Sequence, residues 1–150
     1  MDGPEKERLE KQKGLMLYGS HIFFPGAASR DELVKHYINA DLFVFSSPSE
    51  TQGLVITEAK AAGLPVLALE ASGVSEAIRD GKDGFLVKPV DEEHFLEKLV
   101  MLLKNHNLRK ELSCEAVKQS AFFSAQQRAQ ELQNYYLEVL QENSFKAVSL

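Results

Sequence analysis

Apolar positions follow two periods along the chain, and the change between them falls near residue 90. Before it, short continuous apolar runs alternate with stretches of 3.6-residue period; after it only the helical period remains. Residues 5–13 are charged and helix-prone, with Leu9 the one large apolar side chain, which predicts a solvent-facing helix stopped at Gly14. Apolar runs at 15–18 and 21–24 follow, and the second reads as a strand closed by Pro25 and Gly26. Ser29 with Glu32 three residues on forms a capping box, opening a helix expected to carry Leu33, Val34, Tyr37 and Ile38 inward. The continuous run at 42–45 predicts a strand covered on both faces. A polar loop then leads into a helix over about 54–62, with Gly63 as its stop. Pro65 opens a strand at 66–69, and a short helix over about 74–79 follows. The turn cluster 80–84 then leads to a strand at 85–87, stopped by Pro89. Three helices complete the pattern. The first spans 91–104 with Phe95, Leu99, Leu102 and Leu103 on one side, and the second 108–121. The third is capped by Ser124 and carries Ala129, Leu132, Tyr136, Val139 and Leu140 to about Gln141. Residues 143–150 read as a flexible tail.

Strands alternating with helices through short connections imply right-handed βαβ units. The predicted fold class is α/β: a three-layer, Rossmann-like parallel sheet of about four strands in one domain over 1–150, with helices on both faces, followed by C-terminal helices. Four strands are few for a doubly wound domain, and the exposed sheet edge this leaves is a liability. The expectation is a fragment, or a sheet completed by another chain or segment.

Composition narrows the function classes. With 150 residues the chain can bury one real core, and 44% hydrophobic with 26% charged residues is ordinary for a soluble domain. No apolar run approaches a membrane span, and the polar start does not resemble a signal peptide, so the expected location is cytoplasmic. The single Cys114 excludes an internal disulfide framework and a multi-cysteine zinc site, and reads as a structural thiol on a helix. His21, His36, His94 and His106 are scattered at no ligand spacing, and no Asp-x-Asp occurs, so no metal is expected. A net charge of −5 argues against a nucleic-acid binder. Any phosphate would be held mainly by backbone amides and a few selected basic residues.

The stretch 46–59 offers such amides. An apolar run stops in a polar loop carrying Glu50 and Gly53, and a helix carrying Glu58 begins directly after it. Strand, glycine-containing loop, helix is how α/β proteins present N–H groups to phosphate. Two carboxylates beside that loop call for a hydroxyl-rich group next to the phosphate, and a nucleotide sugar meets both demands.

An ordered series of motifs carries a resemblance. Ser47-Pro48-Ser49-Glu50 to Glu58-Ala59 is followed by Ala62-Gly63-Leu64-Pro65-Val66, Ser72-Gly73-Val74-Ser75-Glu76-Ala77, Asp80-Gly81, and Asp83-Gly84-Phe85-Leu86-Val87. Phe23-Phe24-Pro25-Gly26 precedes it. Together they resemble the C-terminal, donor-binding domain of GT-B glycosyltransferases of the group 1, or family 4, class, over roughly residues 20–140. The resemblance implies a retaining hexosyltransferase in carbohydrate biosynthesis that uses a UDP- or GDP-hexose such as UDP-glucose. It implies Glu50 as the group near the reacting carbon and on the sugar hydroxyls, and Glu58 on the ribose. It places the Gly53, Leu54 and Val55 amides by the diphosphate and sugar, and Pro25 and Gly26 by the base. Thr51 and Gln52 depart from the commoner Glu-Gly-Phe-Gly and add polar groups near the sugar. No cofactor is implied beyond the donor itself.

Two parts of the family pattern are not found: the first strands of this domain, with their diphosphate-pairing Arg and Lys, and the N-terminal acceptor domain. The chain is therefore expected to be inactive alone and to need that domain as partner, through which any peripheral membrane contact would also come. The alternative from another class is a non-catalytic nucleotide-sugar-binding or structural fragment that needs a separate acceptor domain. A glycosidase acid/base pair and a sugar-nucleotide epimerase fit less well. Nothing supplies the glycosidase fold context, and the epimerase's Gly-Gly-x-x-Glu-Glu loop does not follow Phe45.

Overall fold

The computed structural model describes residues 4–47, 49–122 and 125–148, with 125 and 141–148 by backbone alone. Pro48, Phe123, the expected cap Ser124 and the end of the tail at 149–150 lie outside the described residues. The chain divides into two compact units, Met1–His36 and Tyr37–Leu150.

In the first unit, helix α1 (Lys6–Gly14) buries no residue, as its charged sequence predicts. A single 3-10 turn follows at Gly19–His21. The expected strand at 21–24 does not form. Ile22 is extended (φ −100°, ψ 127°), yet no ladder includes this segment, and Phe23 is 79% exposed. Extended dihedrals become a strand only when a neighbouring strand takes the backbone hydrogen bonds; among the described residues no strand does so here, and the Ile22 amide is spent on the Gly19 carbonyl of the preceding turn at 3.1 Å. Helix α2 (Arg30–Ile38) opens on the expected capping box. The Ser29 amide and hydroxyl donate to Glu32 Oε2 at 2.8 and 2.7 Å, and the Glu32 amide donates back to Ser29 Oγ at 3.4 Å. Of the four side chains expected to point inward, only Tyr37 is buried, while Leu33, Val34 and Ile38 are exposed.

The second unit is built on a three-stranded parallel sheet, β1 (Phe43–Phe45), β2 (Val66–Leu69) and β3 (Gly84–Val87), in the order β1-β2-β3. Phe43 pairs with Val66, and Val66 with Gly84. This is one strand fewer than the periodicity predicts, because the segment 21–24 contributes none. Helices α3 (Leu54–Ala61), α4 (Ser72–Ala77), α5 (Glu92–Lys104), α6 (His106–Phe122) and α7 (Ala125–Val148) complete it.

Strand period 2 divides the core in two. Val66 and Ala68 pack with Ile56, Ala59, Val74, Ala77 and Ile78, the buried residues of α3 and α4 and their flanks. Leu67 joins Val87, Leu102 and Leu112 on the opposite face, with Leu69, Phe95 and Leu99 against them. Each large aliphatic side chain so buried is worth about 1.5–3 kcal/mol. β2, paired on both sides, is the covered strand. β1 was expected to be covered on both faces, but it pairs with β2 alone and leaves Val44 43% exposed.

Gly63 ends α3 as predicted. At φ +85° it lets its own amide reach the Lys60 carbonyl and the Leu64 amide reach the Ala59 carbonyl, both at 3.0 Å. These are the two bonds of a Schellman stop. Asp91 caps α5 by accepting from the His94 amide at 3.0 Å. Leu103, expected on the packed side of α5, is exposed: Phe95, Leu99 and Leu102 recur at i, i+4 and i+7, and Leu103 lies one step round the helix from that stripe. On α6 and α7 the large side chains Phe122, Leu132, Tyr135, Tyr136 and Leu140 are also exposed. Among the described residues no helix is long and apolar enough to cross a membrane.

Candidate functional site

All three strands run in one direction, so their carboxyl ends share one edge, where open parallel sheets bind ligands. The loop from Ser46 to Gly53 leaves β1 at that edge and runs directly into α3. Within it Glu50 turns back on its own chain. Its Oε1 accepts from the amides of Thr51, Gln52 and Gly53 at 3.2, 3.0 and 3.1 Å. These bonds, led by those of Gln52 and Gly53, hold the Glu50 carboxyl below its ordinary value and keep it ionised. All three fall on one oxygen. Among the described residues no hydrogen bond is recorded to Oε2, which leaves that oxygen as an acceptor for a ligand hydroxyl.

Two glycines fix the loop. Gly53, the residue before α3, has φ +63°, and a Cβ there would lie 2.5 Å from the Gly73 carbonyl oxygen and 3.0 Å from Ala77 Cβ. A Cβ on Gly73 would lie 2.5 Å from both Gln52 N and Thr51 O. The Gly73 amide donates to the Glu50 carbonyl at 3.2 Å. Loop and α4 thus meet backbone to backbone, at a distance only glycine allows.

With the Gly53 amide taken by Glu50 and Ile56 buried, the first-turn donors left toward solvent at the start of α3 are Leu54 and Val55. Helix geometry gives neither an intrahelical partner, and no acidic residue occupies that first turn. Those amides and the positive end of the helix dipole favour an anion. Glu58, the fifth residue of α3, is exposed and lies about 6 Å further along the axis than Leu54. Burial first, and the Glu58 charge second, hold the Tyr37 hydroxyl above its ordinary value, so the two side chains share a neighbourhood. Glu50, Thr51, Gln52, Gly53, Leu54, Val55 and Glu58 thus occupy one loop and one helix start. On the other face of the same strand ends a concavity of about 310 Å³ is lined by Ser46, Leu69, Pro89, Glu92, Phe95 and Leu96. Pro25 and Gly26 belong to the first unit. There Pro25 lines a cleft of about 700 Å³ with Glu10, Met16, Phe23 and Phe24. Lys13 Nζ stands 5.7 and 6.0 Å from the ring centres of Phe23 and Phe24. Among the described residues no three His, Cys, Asp or Glu side chains gather as a metal site would require.

A buried ionic cluster escaped the sequence reading. Lys60 and Asp83, 1% and 0% exposed, pair at 3.1 Å, and Lys60 Nζ also donates to the Ala77 carbonyl at 2.6 Å. Asp83 in turn accepts from the Arg79 amide at 3.0 Å and from Arg79 Nε at 2.7 Å. A signal was present: Lys60 follows Ile56 by four residues, which puts a charge on the buried stripe of α3, and a buried cation requires an anion.

The profile of the family described as "Glycosyl transferases group 1" matches residues 2–119. A sulfoquinovosyl transferase, SQD2, of Arabidopsis thaliana is 43% identical over 111 residues, covering 72% of this chain and 21% of that protein. A D-inositol 3-phosphate glycosyltransferase of a Nocardioides species is 30% identical over 146 residues, covering 89% of this chain and 32% of its own length. Among solved structures, TarM of S. aureus in complex with UDP superposes with a TM-score of 0.70 at 27% identity, over 78% of this chain and 24% of that one. The chain therefore spans about a fifth to a third of the length of these relatives.

Proposed function

The chain belongs to the group 1 glycosyltransferases, and from that premise we propose that it is the donor-binding part of a retaining hexosyltransferase of the family 4 type. It takes a UDP- or GDP-hexose and presents the anomeric carbon to an acceptor hydroxyl held by an N-terminal domain. The observation that carries this reading is the Glu50 loop: one carboxylate oxygen is locked by three amides, the other is open, and the loop feeds directly into the helix start that carries the Leu54 and Val55 amides. The open oxygen accepts from sugar hydroxyls and stabilises the positive charge that develops at the anomeric carbon. The α3 amides take the diphosphate, and Glu58 takes the ribose hydroxyls. The acceptor attacks on the side from which the diphosphate leaves, and the leaving phosphate accepts the proton, so no protein nucleophile and no metal are needed. TarM was solved with UDP, which supports a uridine donor here.

Titration calorimetry of the chain with UDP-glucose and GDP-mannose tests the binding half, and heat of binding with either is the expected result. The alternative is a non-catalytic nucleotide-sugar-binding or structural module: binding without transfer selects the first form, and no binding to either donor selects the second. In a protein that carries both domains, Glu50→Ala is expected to abolish transfer while Glu58→Ala mainly weakens donor binding. Unchanged turnover in the Glu50 variant would remove the role assigned to it.

A further inference from the structure

The Lys60 side chain closes a loop of contacts that begins and ends at Glu50. From Glu50 the chain passes through Gly53 into α3 and reaches Lys60. Lys60 Nζ crosses to the carbonyl of Ala77, the last residue of α4, at 2.6 Å. At the other end of α4, the Gly73 amide returns to the Glu50 carbonyl at 3.2 Å. Ala77 is also the residue whose Cβ faces Gly53. Asp83 favours the charged form of this link: burial, the larger cause, pushes the Lys60 pKa down, and the Asp83 carboxylate opposes that. Arg79 aims Asp83 with its amide and Nε, and reaches Glu115 at 3.5 Å on its far side.

We infer that Lys60 and Asp83 form a positioning pair that holds α4 against the Glu50 loop and so sets the three-amide geometry of the Glu50 carboxylate. A buried ion pair contributes little net stability over an apolar pair of the same shape, so stability alone gives no reason for one here. A charge-assisted bond to one carbonyl, by contrast, fixes a six-residue helix in one position along α3. The link to donor binding rests on the reading of Glu50 given above; the positioning itself does not.

The test is an NMR pH titration of the Glu50 side-chain carboxyl carbon in the 150-residue chain, run beside UDP-glucose titration. Lys60→Met cuts the link to Ala77 and leaves Asp83 held by Arg79. Asp83→Asn keeps the shape of the site and removes the charge that opposes the lowering of the Lys60 pKa. Both are expected to move the Glu50 titration up toward the ordinary glutamate value of 4.5, Lys60→Met further, and to weaken UDP-glucose binding several-fold. A folded variant whose Glu50 titration matches the unaltered chain overturns the inference. Should neither variant fold, native-state hydrogen exchange of the unaltered chain decides: the Gly53 and Gly73 amides must open together with the Arg79 amide bound to Asp83, and separate opening overturns it. If the unaltered chain binds no UDP-glucose, the donor reading fails while the titration still decides the positioning.

Discussion

Two glutamates in this chain use the same device in different surroundings. Glu32 accepts one backbone amide and Glu50 three, each on a single carboxylate oxygen, and each is held below its ordinary pKa by backbone bonds first. Around Glu32 the partners are the amide and hydroxyl of Ser29, on an exposed helix start. Around Glu50 they are three successive amides of a loop at the carboxyl edge of the sheet, clamped by two glycines against α4. The first arrangement does no more than start a helix. The second holds an ionised carboxylate on the loop that leads into the start of α3. The surroundings of the carboxylate, and not its local bonds, separate a cap from the binding group proposed for this loop.

The largest effect that would break this contrast comes from the clamp. Gly73→Ala puts a methyl group 2.5 Å from Gln52 N and Thr51 O, both backbone atoms. It should cost about 1–3 kcal/mol in urea unfolding and remove UDP-glucose binding. Full binding with Ala at this position would show that the clamp does not set the site. Next in size, Glu50→Gln should weaken UDP-glucose binding about tenfold, whereas Glu32→Gln should leave the calorimetric affinity unchanged; equal losses would erase the distinction. Ser29→Ala should lower stability by about 1 kcal/mol through the lost cap, again without touching donor affinity. The smallest effect is in pH. Both glutamates titrate below their ordinary value of 4.5 when folded, so what they contribute to stability is fully present above that value and is lost as pH falls through the lowered one. The two carboxyl titrations should respond differently to UDP-glucose: ligand should lower Glu50 further and leave Glu32 where it was.

Much of the fold was legible because local patterns state it. The capping box at Ser29 and Glu32, the Gly63 stop and the Asp91 cap each depend on residues a few positions apart, and all three form. The β2 and β3 runs became the strands expected of them. The candidate site was readable for the same reason: residues 50–58 lie on one loop and the helix it feeds. Where the reading failed, the deciding partner was distant or absent. Among the described residues, 21–24 have a strand's composition and make no ladder, and Val44 and Leu103 have core chemistry and face outward. An apolar run states a capacity to be buried, and burial needs a second surface that a period cannot supply.

The sequence by itself determined the alternation of helix and strand, the stops and caps between them, and the spacing that puts Glu50 before the helix carrying Glu58. These follow from short-range sterics and hydrogen bonding, which few neighbouring residues settle. Only the tertiary structure decided that Glu50 Oε1 is spent on three loop amides, that Gly73 lies against Thr51 and Gln52, and that Lys60 is buried on Asp83. Those contacts join residues some 17 to 23 positions apart, or depend on the loop's backbone path, and they exist once packing has brought α3, α4 and the turn before β3 together. Low dielectric and close packing then fix them, and neither is a property of any local stretch of sequence.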